Sequence, residues 1–322
     1  MQLALGIGYA ALIVYIANIA PLGTAYANYV RWMLYGLCLL IATIGFGVLS
    51  SATDPVLDVL MCAFCVLSGI SAAAFVGHEP SKQFLRRILP SSVTYRPDSL
   101  VHATALVLIF FQVASALVSS YLSGGVSGTA ETLTNQPPNT QQLALDLGLN
   151  VLFALGGVGF FMRRNLAETA ERLGLRVPTL IDAVVGTLVG VVLFFAVDLG
   201  SQLWQNSVSS ATFEQQTSAA NALFLAFAST PILGVALSAS SSIGEEILYR
   251  GALQPVFGIT ITTGFFVLMH SQYLFTPAML LILLIGLGLA LVRQRISTSA
   301  AIIAHFIYNL IPFALLSLQG NA

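Results

Sequence analysis

The stretch Thr179–Leu199, TLIDAVVGTLVGVVLFFAVDL, decides the fold. A helix needs about 20 mostly apolar residues to cross the hydrocarbon core of a bilayer, and this run supplies them. Its two acids, Asp182 and Asp198, stand near its ends, where a cap or an interfacial position suffices. Working outward, similar runs lie at 2–19, 33–50, 55–77, 101–122 and 143–162 before it, and at 221–240, 259–275, 277–292 and 298–318 after it. The run 221–240 leads into a more polar helix reaching Phe257. The runs 259–275 and 277–292 are short and joined by a tight turn from Gln272 to Pro277, as in a hairpin that does not fully span. The expected fold is an all-α polytopic transmembrane bundle of about ten helices. Composition agrees. Of 322 residues 57% are apolar and 8% charged, against roughly 25% charged in soluble domains. The mean hydropathy is +0.88. A soluble enzyme and a disordered tail are excluded. Twelve Lys and Arg against thirteen Asp and Glu leave no basic field for nucleic acid. Three cysteines make no disulfide framework, and Cys62 and Cys65, three apart in an apolar helix, read as packing residues.

The basic residues test the map of spans. Arg31 follows the first span. Lys82, Arg86, Arg87 and Arg96 follow the third, and Arg163, Arg164, Arg172 and Arg176 the fifth. Arg250 follows the seventh, and Arg293 and Arg295 the ninth. The loops between, 51–54, 123–142, 200–220 and 272–276, hold none. By the positive-inside rule the basic loops are cytoplasmic, and both termini face outward. The first run lacks a basic leader, and Ala17-Asn18-Ile19-Ala20 is a poor cleavage site, so it reads as a retained helix. Residues 123–142, rich in Gly, Thr, Asn, Gln and Pro, read as a flexible outer loop. Residues 163–176 and 81–89 read either as short interfacial helices or as plain basic loops. The chain divides into a five-span region, 1–162, of unassigned role, a connector, 163–178, and a C-terminal domain, 179–322. Compact loops and scarce lysine point to a prokaryotic plasma membrane, in which the N-terminal spans could meet a membrane-protein partner.

Charge at the bilayer centre costs about 2.5–3.5 kcal/mol on insertion scales, and charges kept there are usually paired and functional. The segment Ser240–Gly251, SSSIGEEILYRG, keeps two acids and an arginine. In an α-helix Glu246 and Arg250, four apart, share a face and can neutralise each other. Glu245 is turned about 100° away and is a candidate general base; alternatively both glutamates clamp Arg250. His270 ends the eighth span, and His305 and Asn309 share a face of the tenth. His78 and His102 lie in or beside a loop. Glu245, His270, His305 and Asn309 on consecutive elements supply a base, a second imidazole and hydrogen-bond donors, the inventory of a water-activating hydrolase with an oxyanion site.

At these residues the chain resembles the CPBP family, the CAAX prenyl endopeptidases and bacteriocin-processing (Abi) proteins. EEILYRG at 245–251 matches EExxxR, FVLMH at 266–270 matches FxxxH, and HFIYN at 305–309 matches HxxxN, in the family's order. The likeness covers about 180–318 and leaves the first five spans outside. It implies an intramembrane endopeptidase that uses a glutamate and needs no cofactor, acting on a membrane-associated, prenylated or leader peptide. On this likeness Glu245 and His270 activate water, His305 and Asn309 stabilise the oxyanion, and Glu246 and Arg250 give support. Glu245 would lie near the cytoplasmic end of its helix, with the site opening to that side. Three other readings stand beside it. A Glu with two His is a plausible zinc set, although no HExxH is present. A catalytically idle scaffold or immunity-type partner would keep the motifs for folding. A transporter would suit intramembrane carboxylates, but there is no repeat between halves.

Overall fold

The computed structural model describes residues 2–51, 53–228 and 231–319, and every regular element among them is a helix. In chain order these are α1 (Gln2–Ile19), α2 (Ala25–Val48), α3 (Pro55–Gly77), α4 (Glu79–Ile88), α5 (Leu100–Leu122), α6 (Gly125–Asn135), α7 (Thr140–Val158) and α8 (Leu166–Leu173). There follow α9 (Leu180–Gln205), α10 (Ser210–Ala228), α11 (Pro231–Glu245), a π-helical turn (Glu246–Leu253), α12 (Gln254–Met269), a 3₁₀ turn (Ser271–Tyr273), α13 (Ala278–Arg295) and α14 (Thr298–Gln319). Among the described residues eight stretches are long and apolar enough to cross a membrane, and Gly6–Ile19 forms a shorter apolar helix. The protein is an integral, multi-pass, all-helical membrane protein. The eight stretches fall short of ten by two: the first run is counted only as the shorter helix, and Ile232–Met269 runs as one, joining what hydropathy separates into a seventh and an eighth span.

Two stretches read as loops are helices. Residues 125–135 form α6, which packs against α10. Thr132 and Thr134 turn their hydroxyls back onto Gly128 O and Ala130 O, at 2.9 and 2.8 Å. Composition reports only local preference, whereas α6 has a partner helix to hold it. That partner, α10, takes up much of 200–220, and α9 runs on to Gln205. Residues 221–228 therefore belong to α10. The seventh span expected at 221–240 crosses 229–230, which lie outside the described residues. The two cytoplasmic candidates are helical: 79–88 is α4 and 166–173 is α8.

Two compact units interleave along the chain, whereas the sequence suggests a division at 162 and 179. The first comprises Met1–Leu122, Leu155–Thr169 and Pro255–Gly258. Its centre is the contact of α2 with α3, where Gly45 lies on Cys62 and Cys65 and Gly69 on the backbone of Cys38. Asp54 caps α3 by accepting from the N–H groups of Val56 and Leu57. Asp58, buried, accepts from Tyr121 Oη at 2.6 Å and Ser51 Oγ at 3.1 Å. Asn18 ties the end of α1 to the last turn of α7 and to the turn after it: Nδ2 donates to Gly156 O at 2.9 Å, and Oδ1 accepts from Arg163 Nη2 at 2.6 Å. The first turn of α12 also belongs here, with Pro255 O accepting from the Thr94 N–H at 2.9 Å. Gly258, at φ 77°, breaks α12 directly after that turn, a conformation that only glycine adopts without strain.

The second unit comprises Ser123–Ala154, Ala170–Gln254 and Ile259–Ala322. In it α14 packs against α9, α11 and α13. Gly186 and Gly190 of α9 carry α14 so closely that an added Cβ would stand 2.8 Å from Ala300 O and 2.6 Å from Ala304 O. Small residues at such crossings let helix backbones approach where lipid supplies no hydrophobic drive. The strap between α8 and α9 fixes the start of α14. Thr298 donates its N–H to Gly174 O at 3.0 Å and its hydroxyl to Leu173 O at 2.5 Å. Asp182 is fully buried and accepts from Arg176 Nη2 (2.8 Å), Thr179 Oγ1 (2.7 Å) and Ser297 Oγ (2.6 Å). It is thus a cap and also the knot joining strap, α9 and α14. Trp204, at a span end, is buried against Phe213, with ring centroids 5.0 Å apart. Trp32, the other tryptophan of the chain, is exposed.

Because Gly190 admits α14 to contact, Gly190→Val should destabilise this unit by about 1–3 kcal/mol, as overpacking does. Thermal unfolding in detergent checks it; an unchanged midpoint would show that the helices have room to part.

Candidate active site

The site begins with a register change. The α-helical pattern stops at Glu245, and the next eight residues, Glu246–Leu253, form a π-helical turn. The Gln254 N–H reaches back five residues to Tyr249 O. Pro255, next in line, has no N–H and cannot serve Arg250 O in the same register. Arg293 Nε of α13 donates to that carbonyl at 3.2 Å. Arg172 Nη1 donates to the following one, Gly251 O, at 3.2 Å. The wide turn is thus closed by two guanidinium groups that a count of loop charges treats only as topology signals. π-turns are rare and recur at functional sites.

Around this turn the buried groups meet. Glu246 is fully buried, and His305 Nδ1 donates to its Oε1 at 2.9 Å. Its Oε2 lies 3.3 Å from Arg250 Nε, an ion pair without hydrogen-bond geometry. The expected pairing of Glu246 with Arg250 is present, but the imidazole takes the better-directed bond. A strict α-helical wheel does not describe a turn with this wider register. Arg250 is anchored by Nη2 to Gly286 O of α13, at 3.2 Å. Its guanidinium stands 4.4 Å from the ring centroid of Phe266, within cation–π range.

Phe266 is the hub. Its ring centroid lies 5.4 Å from that of Tyr249, 4.7 Å from His270 and 6.4 Å from His305. Its carbonyl accepts from His270 Nδ1 at 2.8 Å. A carbonyl only accepts, so Nδ1 carries a proton, and in a neutral ring that leaves the lone pair at Nε2. Asn309, one turn beyond His305 on α14, donates Nδ2 to Ser241 Oγ at 2.9 Å. That amide has a second N–H. Ser241 stands one turn before Glu245 on α11. Gly244 lies against Leu147 and Asn150 of α7. Glu245 is half-buried, and among the described residues its Oε2 is enclosed without a hydrogen-bond partner.

The structure therefore gathers Glu246, Arg250, His270 and His305 about Phe266, with Asn309 joined to the α11 turn that ends in Glu245. Of Glu245 it gives the setting rather than a contact to either imidazole. No three His, Cys, Asp or Glu side chains among the described residues are grouped to hold a metal ion. Just outside the spans, Tyr273 has its phenol pushed toward the neutral form by burial. Sequence reading missed Phe266 as a hub, and it missed Arg172, Arg293 and Ser241. Pro255 five residues after a buried arginine is the one local signal that pointed to the register change.

The fold and these groups define a membrane-embedded helical protein with a polar, buried C-terminal cluster. A family model described as type II CAAX prenyl endopeptidase Rce1-like matches residues 222–311, which hold all three motifs and leave α1–α9 outside. No curated protein and no solved structure matches the chain. The match, with the helical bundle, supports a membrane peptidase of this general type.

Removing one partner of a buried charge pair costs about 3–5 kcal/mol. Glu246→Gln should accordingly lower thermal stability sharply, because Arg250 and His305 lose their shared anion. Glu245→Gln should leave the melting midpoint near that of wild type. Equal losses in the two variants would contradict this division.

Proposed function

We propose that the protein is an intramembrane endopeptidase that hydrolyses a membrane-associated peptide with a glutamate-activated water. The observation that carries the reading is the contrast between two adjacent carboxylates. Glu246 is committed to His305 and Arg250, whereas Glu245 keeps an enclosed oxygen without a partner among the described residues. In this reading Glu245 accepts a proton from water, and the resulting hydroxide attacks the scissile carbonyl. His270, its Nδ1–H spent on Phe266 O, turns Nε2 to the same water, takes the proton over from the Glu245 carboxyl and passes it to the leaving amine, which leaves both groups as they began.

His305 and Asn309 meet the oxyanion. For His305 Nε2 to donate while Nδ1 is bonded to Glu246, the ring takes the imidazolium form, and the Glu246 carboxylate supplies its counter-charge. Arg250, held on Gly286 O and Phe266, fixes that carboxylate in place. Water and substrate enter from the side of the basic loops, which the positive-inside rule makes cytoplasmic. The spans before α7 meet the substrate or a membrane partner.

Glu245→Gln should reduce peptide cleavage by reconstituted protein by about 10²–10⁴-fold, the usual worth of a general base, with the fold retained. A biological effect that survives Glu245→Gln unchanged would instead favour a catalytically idle scaffold. Activity should also persist in strong chelators. Loss on chelation with recovery on added zinc would replace the glutamate mechanism with a metal-centred one.

A further inference from the structure

Glu246, Arg250 and Gln254 recur every four residues along the wide turn and into α12. Each carries a buried polar atom without a hydrogen bond among the described residues: Glu246 Oε2 and Arg250 Nε, which face each other only as an ion pair at 3.3 Å, Arg250 Nη1, and Gln254 Oε1. All three residues are more than nine-tenths buried, at 0%, 1% and 7% exposure. Their other atoms are fixed on α13. Arg250 Nη2 donates to Gly286 O, and Gln254 Nε2 donates to Ala290 O at 3.0 Å, one helical turn further on. Thr263 of α12 closes the row. It is 2% exposed, its methyl lies where a Cβ on Gly286 would stand 2.8 Å away, and its hydroxyl is likewise unsatisfied.

Leaving a buried polar group unbonded costs about 1–3 kcal/mol, more when it is charged. Proteins meet that cost with buried waters, each making about three hydrogen bonds. The row has the chemistry for them: Arg250 donates, Gln254 Oε1 and Glu246 Oε2 accept, and Thr263 does both. It also has a direction. Gln254 and Ala290 lie toward the end of α13 that carries Arg293 and Arg295, whereas Glu246 leads to His305.

We propose that this row binds a file of ordered waters running from the basic end of α13 to the Glu246–His305 pair, with Gln254 and Thr263 as its positioning residues. One end hydrates the second oxygen of Glu246, which leaves Oε1 to His305. The file supplies water to a site enclosed by helices and lipid, where each peptide bond cleaved consumes one molecule. That use rests on the hydrolytic reading; the presence of the waters does not.

X-ray hydroxyl-radical footprinting of the full chain in lipid nanodiscs tests it, because radicals made from bound water oxidise the side chains beside it. Phe266 and Tyr249 should be oxidised despite their burial, and several-fold faster than Phe227, which is fully buried on α10 and is no part of the row. Gln254→Leu and the shape-conserving Thr263→Val should each lower labelling of Phe266 and Tyr249 several-fold, with Phe227 unchanged. The proposal is overturned if Phe266 and Tyr249 label no faster than Phe227, or if their labelling is unaltered in a folded Thr263→Val protein, which decides the matter alone should Gln254→Leu not fold. Labelling as expected in a wild-type protein that cleaves no peptide would uphold the file and sink the peptidase reading.

Discussion

One carboxylate, Glu246, organises the C-terminal unit. It is fully buried in a helical membrane protein, and two cationic or potentially cationic groups on different stretches of chain converge on it. Burying an ion costs several kcal/mol even after relaxation, and attraction offsets that cost only where geometry and further hydrogen bonds are good. The surroundings supply them in sequence: His305 bonds one oxygen, Arg250 faces the other, α13 takes the far side of the guanidinium, and Phe266 lies beneath it. Each contact requires a particular placing of α12, α13 or α14. The cluster thereby specifies the arrangement of these helices more narrowly than apolar packing would, since lipid does not discriminate among greasy surfaces.

The π-helical turn makes this convergence possible and creates its own difficulty. A wider register re-aims the side chains after Glu245, but together with Pro255 it leaves carbonyl groups without their usual donors. Arg293 and Arg172 supply replacements from α13 and α8. The α8–α9 strap then holds α14 through Thr298 and through the Asp182 knot. Residues that sequence order scatters over α8, α9, α13 and α14 are thus parts of one support.

Much of this was legible in the sequence because the bilayer imposes simple rules. Length and apolarity exposed the spans, and alternate loops carried the charges. Glu245, Glu246, Arg250, His270, His305 and Asn309 stood out because polar groups are costly in lipid. What escaped depended on partners far along the chain. Residues 125–135 look like a flexible loop until α10 lies against them. Arg172 and Arg293 look like topology markers until a turn presents bare carbonyls to them. Phe266 is one more apolar residue in an apolar helix until its neighbours are known. Glu246 was read correctly as the partner of Arg250, yet a wheel drawn for 3.6 residues per turn gave no reason to add His305.

The knot at Asp182 bears on how the protein is made. Its ligands are synthesised at different times: Arg176 and Thr179 emerge with it, Ser297 long after. The same holds for Glu246, whose arginine follows it closely while its imidazole waits for α14. A nascent chain halted before α14 therefore carries two acids with incomplete partners, and its polar cluster is unassembled. The two polar clusters therefore set an order of assembly, in which the arrival of α14 closes both.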